Sequence, residues 1–279
     1  MLELKSLTKK YDGLTAVDNL NLTVNKGEFF GLLGPNGAGK STTVRMICTL
    51  TSKTAGDIII NGQSMDRNVT SVKEKIGVVQ QQNNLEVELT GYENLELHGM
   101  LYNMGKNDRQ KRIKELLEFT ELTDRSNDLV SKYSGGMKRK LMIARALMHN
   151  PDLLLLDEPT VGLDASARRK MWDLLKSLKS HGLTVLLTTH YIEEAEVLCD
   201  IVGLINGGCL VELDSPKNFI KNVGNFAVEN FIDGETKSEF FETREKAVEY
   251  VSGLQGSINI RPTNLEDVFL KLTNRKVES

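Results

Sequence analysis

The chain has 279 residues, 40% of them hydrophobic, enough to build a core for one large domain with a smaller appendage. Its 38 acidic and 35 basic side chains are well mixed and leave a net charge of −3, which argues against nucleic-acid binding through bulk basicity. No run approaches the roughly 20 apolar residues that cross a bilayer, and Met1-Leu2-Glu3-Leu4-Lys5 has neither a basic leader nor an apolar signal core.

Residues 1–30 read as strands. Leu20-Asn21-Leu22-Thr23-Val24 alternates with period two, and Asn25-Lys26-Gly27 turns the chain into Phe29-Phe30-Gly31-Leu32-Leu33, apolar on both faces as a buried parallel strand is. That strand empties into a glycine loop, after which Ser41 to Leu50 reads as a helix. Ile58-Ile59-Ile60 is a strand closed by the turn Asn61-Gly62, and Ile76-Gly77-Val78-Val79 is another. From Leu89 to about Asn150 the pattern is helical. There Arg109 to Phe119 sets Ile113, Leu116 and Leu117 on one face, and Gly136 to His149 is apolar round much of its circumference and expected to be largely buried. Strands return at Leu153–Leu156 and Val185–Leu187, with the helix Ala165–Ser180 between them. The alternation predicts an α/β fold with a right-handed parallel sheet, into which the helical block is inserted.

After Asp214-Ser215-Pro216 come a strand Phe226–Ile232, a helix Arg244–Leu254, a strand Ser257–Ile260 and a helix Leu265–Leu272, a small α+β appendage of about 60 residues. The expected division is therefore 1–215 and 216–279, with a helical subdomain at about 89–150. Cys48, Cys199 and Cys209 have no metal-ligand spacing and no disulfide framework, and read as buried thiols in a reducing compartment.

Gly34-Pro35-Asn36-Gly37-Ala38-Gly39-Lys40-Ser41 fits G-x-x-x-x-G-K-[ST] between a predicted strand and a predicted helix. Glycines let backbone N–H groups curl around phosphate oxygens, and the helix N-terminus adds partial positive charge. Lys40 is expected to reach the β- and γ-phosphates and Ser41 to place its hydroxyl on Mg²⁺. The strand Leu153-Leu154-Leu155-Leu156 ends in Asp157 and Glu158, and the carboxyl ends of parallel strands are where ligands bind. Asp157 is placed to hold Mg²⁺. Glu158, pointing the other way along the strand, is placed to orient or deprotonate an attacking water. Kinases, GTPases and recombinases share these two features.

A third choice-making feature is Tyr133-Ser134-Gly135-Gly136-Met137, which resembles the signature motif of the ABC ATPase family; the resemblance covers about residues 1–215. Further matches follow in the family's order. Tyr11 resembles the aromatic that stacks on adenine, Gln81 the Q-loop glutamine, Val161-Gly162-Leu163-Asp164 the D-loop and Thr188-Thr189-His190 the H-loop. Gln80, Gln81 and Gln82 all compete for the Q-loop position, and the spacing to Gly77 favours Gln81. Tyr133 and Met137 depart from the usual leucine and glutamine of the signature but leave its Ser-Gly-Gly core intact. His98, His149 and His181 have no such context.

The resemblance implies a P-loop cassette with a parallel core sheet, an N-terminal antiparallel β subdomain and the helical insertion. It implies ATP and Mg²⁺ as cofactors. Nucleotide would be bound by Tyr11, Gly34, Asn36, Gly37, Ala38, Gly39, Lys40, Ser41 and Thr42, and in a second chain's site by Ser134, Gly135, Gly136, Met137 and Asp164. Glu158 would be general base, His190 would touch the γ-phosphate, and Gln81 would sense the Mg²⁺ held with Ser41 and Asp157. The implied partners are a second ATPase subunit and an integral membrane permease, at the cytoplasmic face of the membrane. Leu89-Thr90-Gly91-Tyr92-Glu93-Asn94-Leu95, the tyrosine-headed signature and Asn264-Leu265-Glu266-Asp267-Val268-Phe269-Leu270 together resemble drug-resistance type exporter subunits with an ABC-2-like permease, importers remaining the alternative. Soluble relatives acting on ribosomes or DNA need paired cassettes or a long coiled-coil insertion, and no sustained heptads lie between Lys40 and Ser134.

Overall fold

The structure, a computed structural model, describes residues 1–66, 69–232, 235–254 and 256–275. The first hairpin, β1 (Leu2–Tyr11) and β2 (Leu14–Val24), buries Leu2, Leu4, Leu7, Leu20, Leu22 and Val24 on one face, as its alternation predicts. β3 (Phe29–Leu33) follows and runs into the glycine loop and α1 (Lys40–Ile47). β4 (Ala55–Ile60) returns antiparallel to β1, with the short β5 (Gln63–Ser64) at its edge, so the N-terminal sheet has the order β2-β1-β4-β5. After α2 (Val69–Lys73), β6 (Ile76–Val79) enters the central sheet.

The helical block comes next. α3 (Gly91–Leu101) starts at a reciprocal cap in which Thr90 Oγ1 accepts from the Glu93 N–H and the Glu93 carboxylate accepts from the Thr90 N–H. α4 (Lys106–Phe119) buries Ile113, Leu116 and Leu117, as its spacing predicts. α5 (Gly135–Ala146) is capped by Ser134, whose Oγ accepts from the Met137 N–H at 3.2 Å, and it buries Leu141, Met142, Ile143, Ala144 and Ala146. Tyr133, just ahead of that cap, is buried and donates its hydroxyl to the Arg125 carbonyl at 2.7 Å. A Cβ at Gly91 would stand 2.3 Å from that same hydroxyl, so any larger residue where α3 meets the signature tyrosine must displace the tyrosine from its bond.

β7 (Leu153–Asp157), α6 (Ala165–Ser180), β8 (Thr184–Thr189), α7 (Ile192–Leu198), β9 (Ile201–Asn206) and β10 (Cys209–Asp214) complete the central sheet, of order β10-β9-β3-β8-β7-β6. All neighbours from β9 to β6 are parallel; β10 is an antiparallel edge strand, which makes the sheet mixed. Its strands feed two cores. Phe29, Leu33, Leu154, Leu156, Val185 and Leu187 face the helices, whereas Phe30, Leu32, Leu153, Leu155 and Leu186 face the N-terminal sheet. Each such side chain contributes about 1.5–3 kcal/mol on burial, and two-faced burial explains why these strands read as unbroken apolar runs.

α8 (Pro216–Val223), capped by Ser215, leads to a three-stranded antiparallel sheet of order β12-β11-β13. It comprises β11 (Phe226–Ile232), β12 (Glu235–Phe241) and β13 (Ser257–Pro262), with α9 (Arg244–Val251) packed against it. β12 was not expected: its Glu-Thr-Lys-Ser-Glu sequence carries no apolar alternation because it is an edge strand. α10 (Leu265–Arg275) then packs on α7 and α8, and Leu265, Val268 and Phe219 lie in the main core. The Asn264–Phe269 motif explains that docking. Asn264 and Asp267 cap each other's N–H groups, Arg261 grips Asp267 with paired bonds at 2.7 and 2.8 Å, and the Leu265 N–H donates to Glu196 at 2.8 Å. The side chain of Leu270 lies outside the described residues. Among the cysteines, Cys199 is buried and Cys48 half-buried, but Cys209 is exposed on β10, contrary to the expectation of three buried thiols. Among the described residues no helix is long and apolar enough to cross a membrane.

Candidate nucleotide site

Four strands deliver the site from one edge of the sheet. Leu33 pairs with Thr189, Asp157 with Thr188, and Leu156 with Val79, so the glycine loop, His190, the acidic pair and Gln81 all leave the sheet on the same side. The loop is tied down by bonds from the Gly34 N–H to the Thr189 carbonyl and from the Gly208 N–H to the Ala38 carbonyl. Gly39 has φ 103°, and a Cβ there would stand 2.5 Å from the Ala16 carbonyl, so no other residue fits at the start of α1. Pro35, Asn36 and Gly37 are exposed, Ser41 and Thr42 half-buried.

Lys40 is 4% exposed, and its ammonium donates to the Gly34 carbonyl at 2.9 Å and the Pro35 carbonyl at 3.1 Å. It also stands 3.4 Å from Glu158 Oε1. His190 Nδ1 lies 3.3 Å from that same oxygen, at ion-pair distance but without hydrogen-bond alignment. Glu158 Oε2 accepts from the side-chain amide of Gln81 at 3.2 Å; of the three competing glutamines, Gln81 is the one whose amide meets the carboxylate. Asp157 Oδ1 accepts from the Ser41 hydroxyl at 3.0 Å and from Thr188 at 2.5 Å. Lys40, Gln81 and His190 thus gather on Glu158 and Ser41 on Asp157, and the two groups join through Thr188 Oγ1, which accepts from the Glu158 N–H at 3.2 Å.

Glu158 does not continue the strand as expected. Its φ is 49°, in the left-handed region, so the chain turns out of the strand at this residue. This turn, not strand alternation, separates the two carboxylates. The Glu158 N–H is held by the Thr188 carbonyl at 3.0 Å.

The remaining candidates lie apart from this cluster. Tyr11 is 44% exposed at the β1–β2 turn, with the Lys9 ammonium 4.7 Å from its ring centroid. Ser134 and Gly135 are exposed and Gly136 half-buried at the N-terminus of α5; Asp164 is exposed and caps α6 by accepting from the Ala167 N–H at 2.8 Å. Among the described residues no hydrogen bond or ion pair joins Tyr11, Ser134–Met137 or Asp164 to the phosphate loop. A cavity of about 280 Å³ opens beside the loop, lined by Gly34, Asn36, His190 and Phe269 of α10.

Two side chains in this region escaped the reading of the sequence. Arg139, within a Lys-Arg-Lys run that looks like a solvated helix face, is only 7% exposed and bonds to the carbonyls of Gln80, Gln81 and Glu158. Glu194 on α7 is fully buried, accepting from Thr160 at 2.8 Å and from the Trp172 indole at 3.2 Å. Burial pushes its carboxyl above the usual range, against the opposing hydrogen bonds. Only a signal for helix-face polarity could have exposed either, since both lie on strongly charged stretches.

A family model described as ABC transporter matches residues 17–161, from β2 through the acidic turn. The chain is an ABC transporter ATP-binding subunit. Nod factor export ATP-binding protein I of Cupriavidus pinatubonensis (strain JMP 134 / LMG 1197) is 40% identical to the subunit, covering 99% of this chain and 92% of that protein. Linearmycin resistance ATP-binding protein LnrL of Bacillus subtilis (strain 168) is 41% identical, covering 80% of this chain and 72% of that one. The dimeric, post-hydrolysis structure of the ATP-binding cassette MJ0796 with ADP and Pi superposes with a TM-score of 0.70 at 34% identity, covering 77% of this chain and 98% of that one. The ABC subunit is accordingly an ATP-binding ATPase of a transporter, built on the P-loop cassette fold.

Proposed function

We propose that this ABC subunit powers export by closing with a second copy around two ATP molecules, each hydrolysed at a site that both chains complete. One observation carries the reading. Both Glu158 oxygens are engaged by Lys40, His190 and Gln81 at the sheet edge, while Ser134-Gly135-Gly136 presents a capped helix N-terminus to solvent, free to meet another chain. The names of the relatives support export, and the dimeric cassette with ADP and Pi supports the paired arrangement.

In this mechanism Lys40 exchanges its loop carbonyls for β- and γ-phosphate oxygens, and the loop amides from Gly34 to Thr42 enclose the phosphates. Tyr11 stacks on the adenine. Glu158 takes a proton from the attacking water as its oxygen bonds to the γ-phosphorus and the bond to ADP breaks, releasing ADP and Pi. His190 contacts the γ-phosphate, and Gln81 orients the water through Glu158. Ser134, Gly135, Gly136 and Met137 donate to the γ-phosphate of the other chain, and Asp164 links the two sites. The hydroxyl of Ser41 beside the Asp157 carboxylate is a hard-oxygen pair suited to Mg²⁺, and among the described residues no group of three His, Cys, Asp or Glu side chains forms a softer or more acidic metal cage. When bound, Mg²⁺ would neutralise charge on the β- and γ-phosphates, held by Ser41, Asp157 and Gln81.

Residues 1–215 act as the cassette, with its helical part at 89–150, and 216–279 as an accessory unit. The permease grips the surface between the loop after Gln81 and the helices of residues 92–130, where Val87, Leu97, Met100 and Leu101 are exposed apolar side chains. The subunit works at the cytoplasmic face of the membrane. Glu158→Gln should keep ATP affinity, lower turnover by about 10²–10⁴-fold and accumulate a closed dimer on sizing in ATP. Turnover at the parent rate would remove Glu158 from its role.

A further inference from the structure

Among the described residues Arg139 is a buried cation with no hydrogen bond or ion pair to a carboxylate. Its guanidinium donates from Nη1 to the Gln80 carbonyl at 2.7 Å, and from Nη2 to the Gln81 carbonyl at 3.1 Å and the Glu158 carbonyl at 3.3 Å. Taking a guanidinium out of water for three carbonyls is costly: burial holds it below its usual range even with the Asp157 and Glu194 charges nearby, so its place calls for a reason. The acceptors supply one. Gln81 and Glu158 are the two residues whose side chains meet at 3.2 Å, and Glu158 is the residue held in a left-handed backbone. The Glu158 N–H is tied to β8, and Arg139 ties its carbonyl to α5. Arg139 thus pins the backbones from which the Gln81 amide and the Glu158 carboxylate project.

Arg139 also sits five residues after Ser134, about 7.5 Å along the same rigid helix. Six residues further on, Arg145 donates to the Asn84 carbonyl at 2.7 Å and to its side chain. The Gln80–Asn84 loop is therefore strung along the flank of α5, the helix whose N-terminus carries the signature serine.

We infer that Arg139 is a positioning residue for hydrolysis, whose three-carbonyl clamp sets Glu158 and Gln81 of its own chain and couples them to the signature helix. This rests on Glu158 being the base. A planar guanidinium presents its donors in a fixed fork that a lysine ammonium cannot reproduce, so Arg139→Lys keeps the charge and loses the clamp.

The test measures thermal stability, ATP affinity, and kcat and KM of the full-length Arg139→Lys subunit. The expected result is kcat lowered tenfold or more, with KM and ATP affinity within about twofold and the melting transition retained. An equimolar mixture with Gly135→Asp should regain activity, because the mixed dimer pairs an intact Glu158 clamp with an intact signature. Parent-like kcat, or a rise in KM without a fall in kcat, overturns the proposal. So does failure of the mixture to recover, which would place the action of Arg139 in trans. Should Arg139→Lys not fold, Arg139→Gln is held to the same readings, and if neither folds Arg139 is a structural residue and the proposal falls. If Glu158→Gln retains turnover, the base reading fails instead; with Glu158→Gln inactive, a fully active Arg139→Lys sinks only the clamp.

Discussion

Lys40 and Glu158 are buried to within 4% and 6% of full enclosure and stand 3.4 Å apart, so neither charge is solvated by bulk water. Each is tolerable only because of its neighbours: two loop carbonyls for Lys40, and Lys40, His190 and the Gln81 amide for Glu158. Lys40→Ala should therefore do two things. Loss of a charged contact to the phosphates should weaken ATP binding by about 100-fold, measured by titration calorimetry. Leaving Glu158 without its cation should also lower unfolding free energy by on the order of 3 kcal/mol, measured by denaturant titration. Nucleotide affinity equal to the parent's would contradict the cradle. At this scale the identities of the cluster were legible from motif spacing, because phosphate chemistry demands those residue types at those intervals. The left-handed turn at Glu158 was not, since the strand pattern runs unbroken into Asp157 and only the ladder partners on β8 decide where it stops.

Among the elements, the helical block illustrates how local signals and packing divide the work. Thr90 and Glu93 announce the start of α3 by themselves, and the apolar spacing of α4 predicts its buried face. The stacking of Tyr102 on His149, with ring centroids 3.9 Å apart and His98 5.0 Å from Tyr102, depends on α3 meeting the end of α5 and has no sequence signature. Burial, aided by the nearby charge of Arg145 and by His149, lowers the His98 pKa from 6.5 to about 4. Because the folded value lies below the unfolded one, the unfolded chain binds the extra proton. Stability from this neutral imidazole is complete above pH 6.5 and declines as the pH falls toward 4. Urea midpoints should drop over that window, and His98→Gln should flatten the drop. An unchanged acid slope in the variant would show that His98 carries no such linkage.

For the whole molecule, the Lys40–Glu158 cluster and the signature are on one chain yet share no bond among the described residues, an arrangement that suits the proposed composite site between two copies. A mixture of two inactive variants tests this directly. Gly135→Asp spoils the signature and Glu158→Gln spoils the base, so a mixed dimer holds one site with both faults and one with neither. Equimolar mixing should restore up to about a quarter of the parent ATPase rate, half the dimers being mixed and half their sites sound. A mixture as inactive as its components would rule out completion in trans. The docking of α10 is also a property of the assembled molecule, since Leu265 and Val268 reach the main core only after the small sheet has turned the chain back.

By itself the sequence determined the parallel sheet, the phosphate loop, the acidic strand end and the order of the motifs, because each is encoded by period, glycine placement or reactive chemistry within a few residues. Only the tertiary structure decided that a lysine-flanked Arg139 is buried, that a polar stretch forms β12, and that Glu158 turns out of its strand. Those outcomes depend on partners distant in the chain: a carbonyl 59 residues away for Arg139, the central strand β11 for β12, and β8 for Glu158. Hydrogen-bond satisfaction across such separations leaves no local pattern to read.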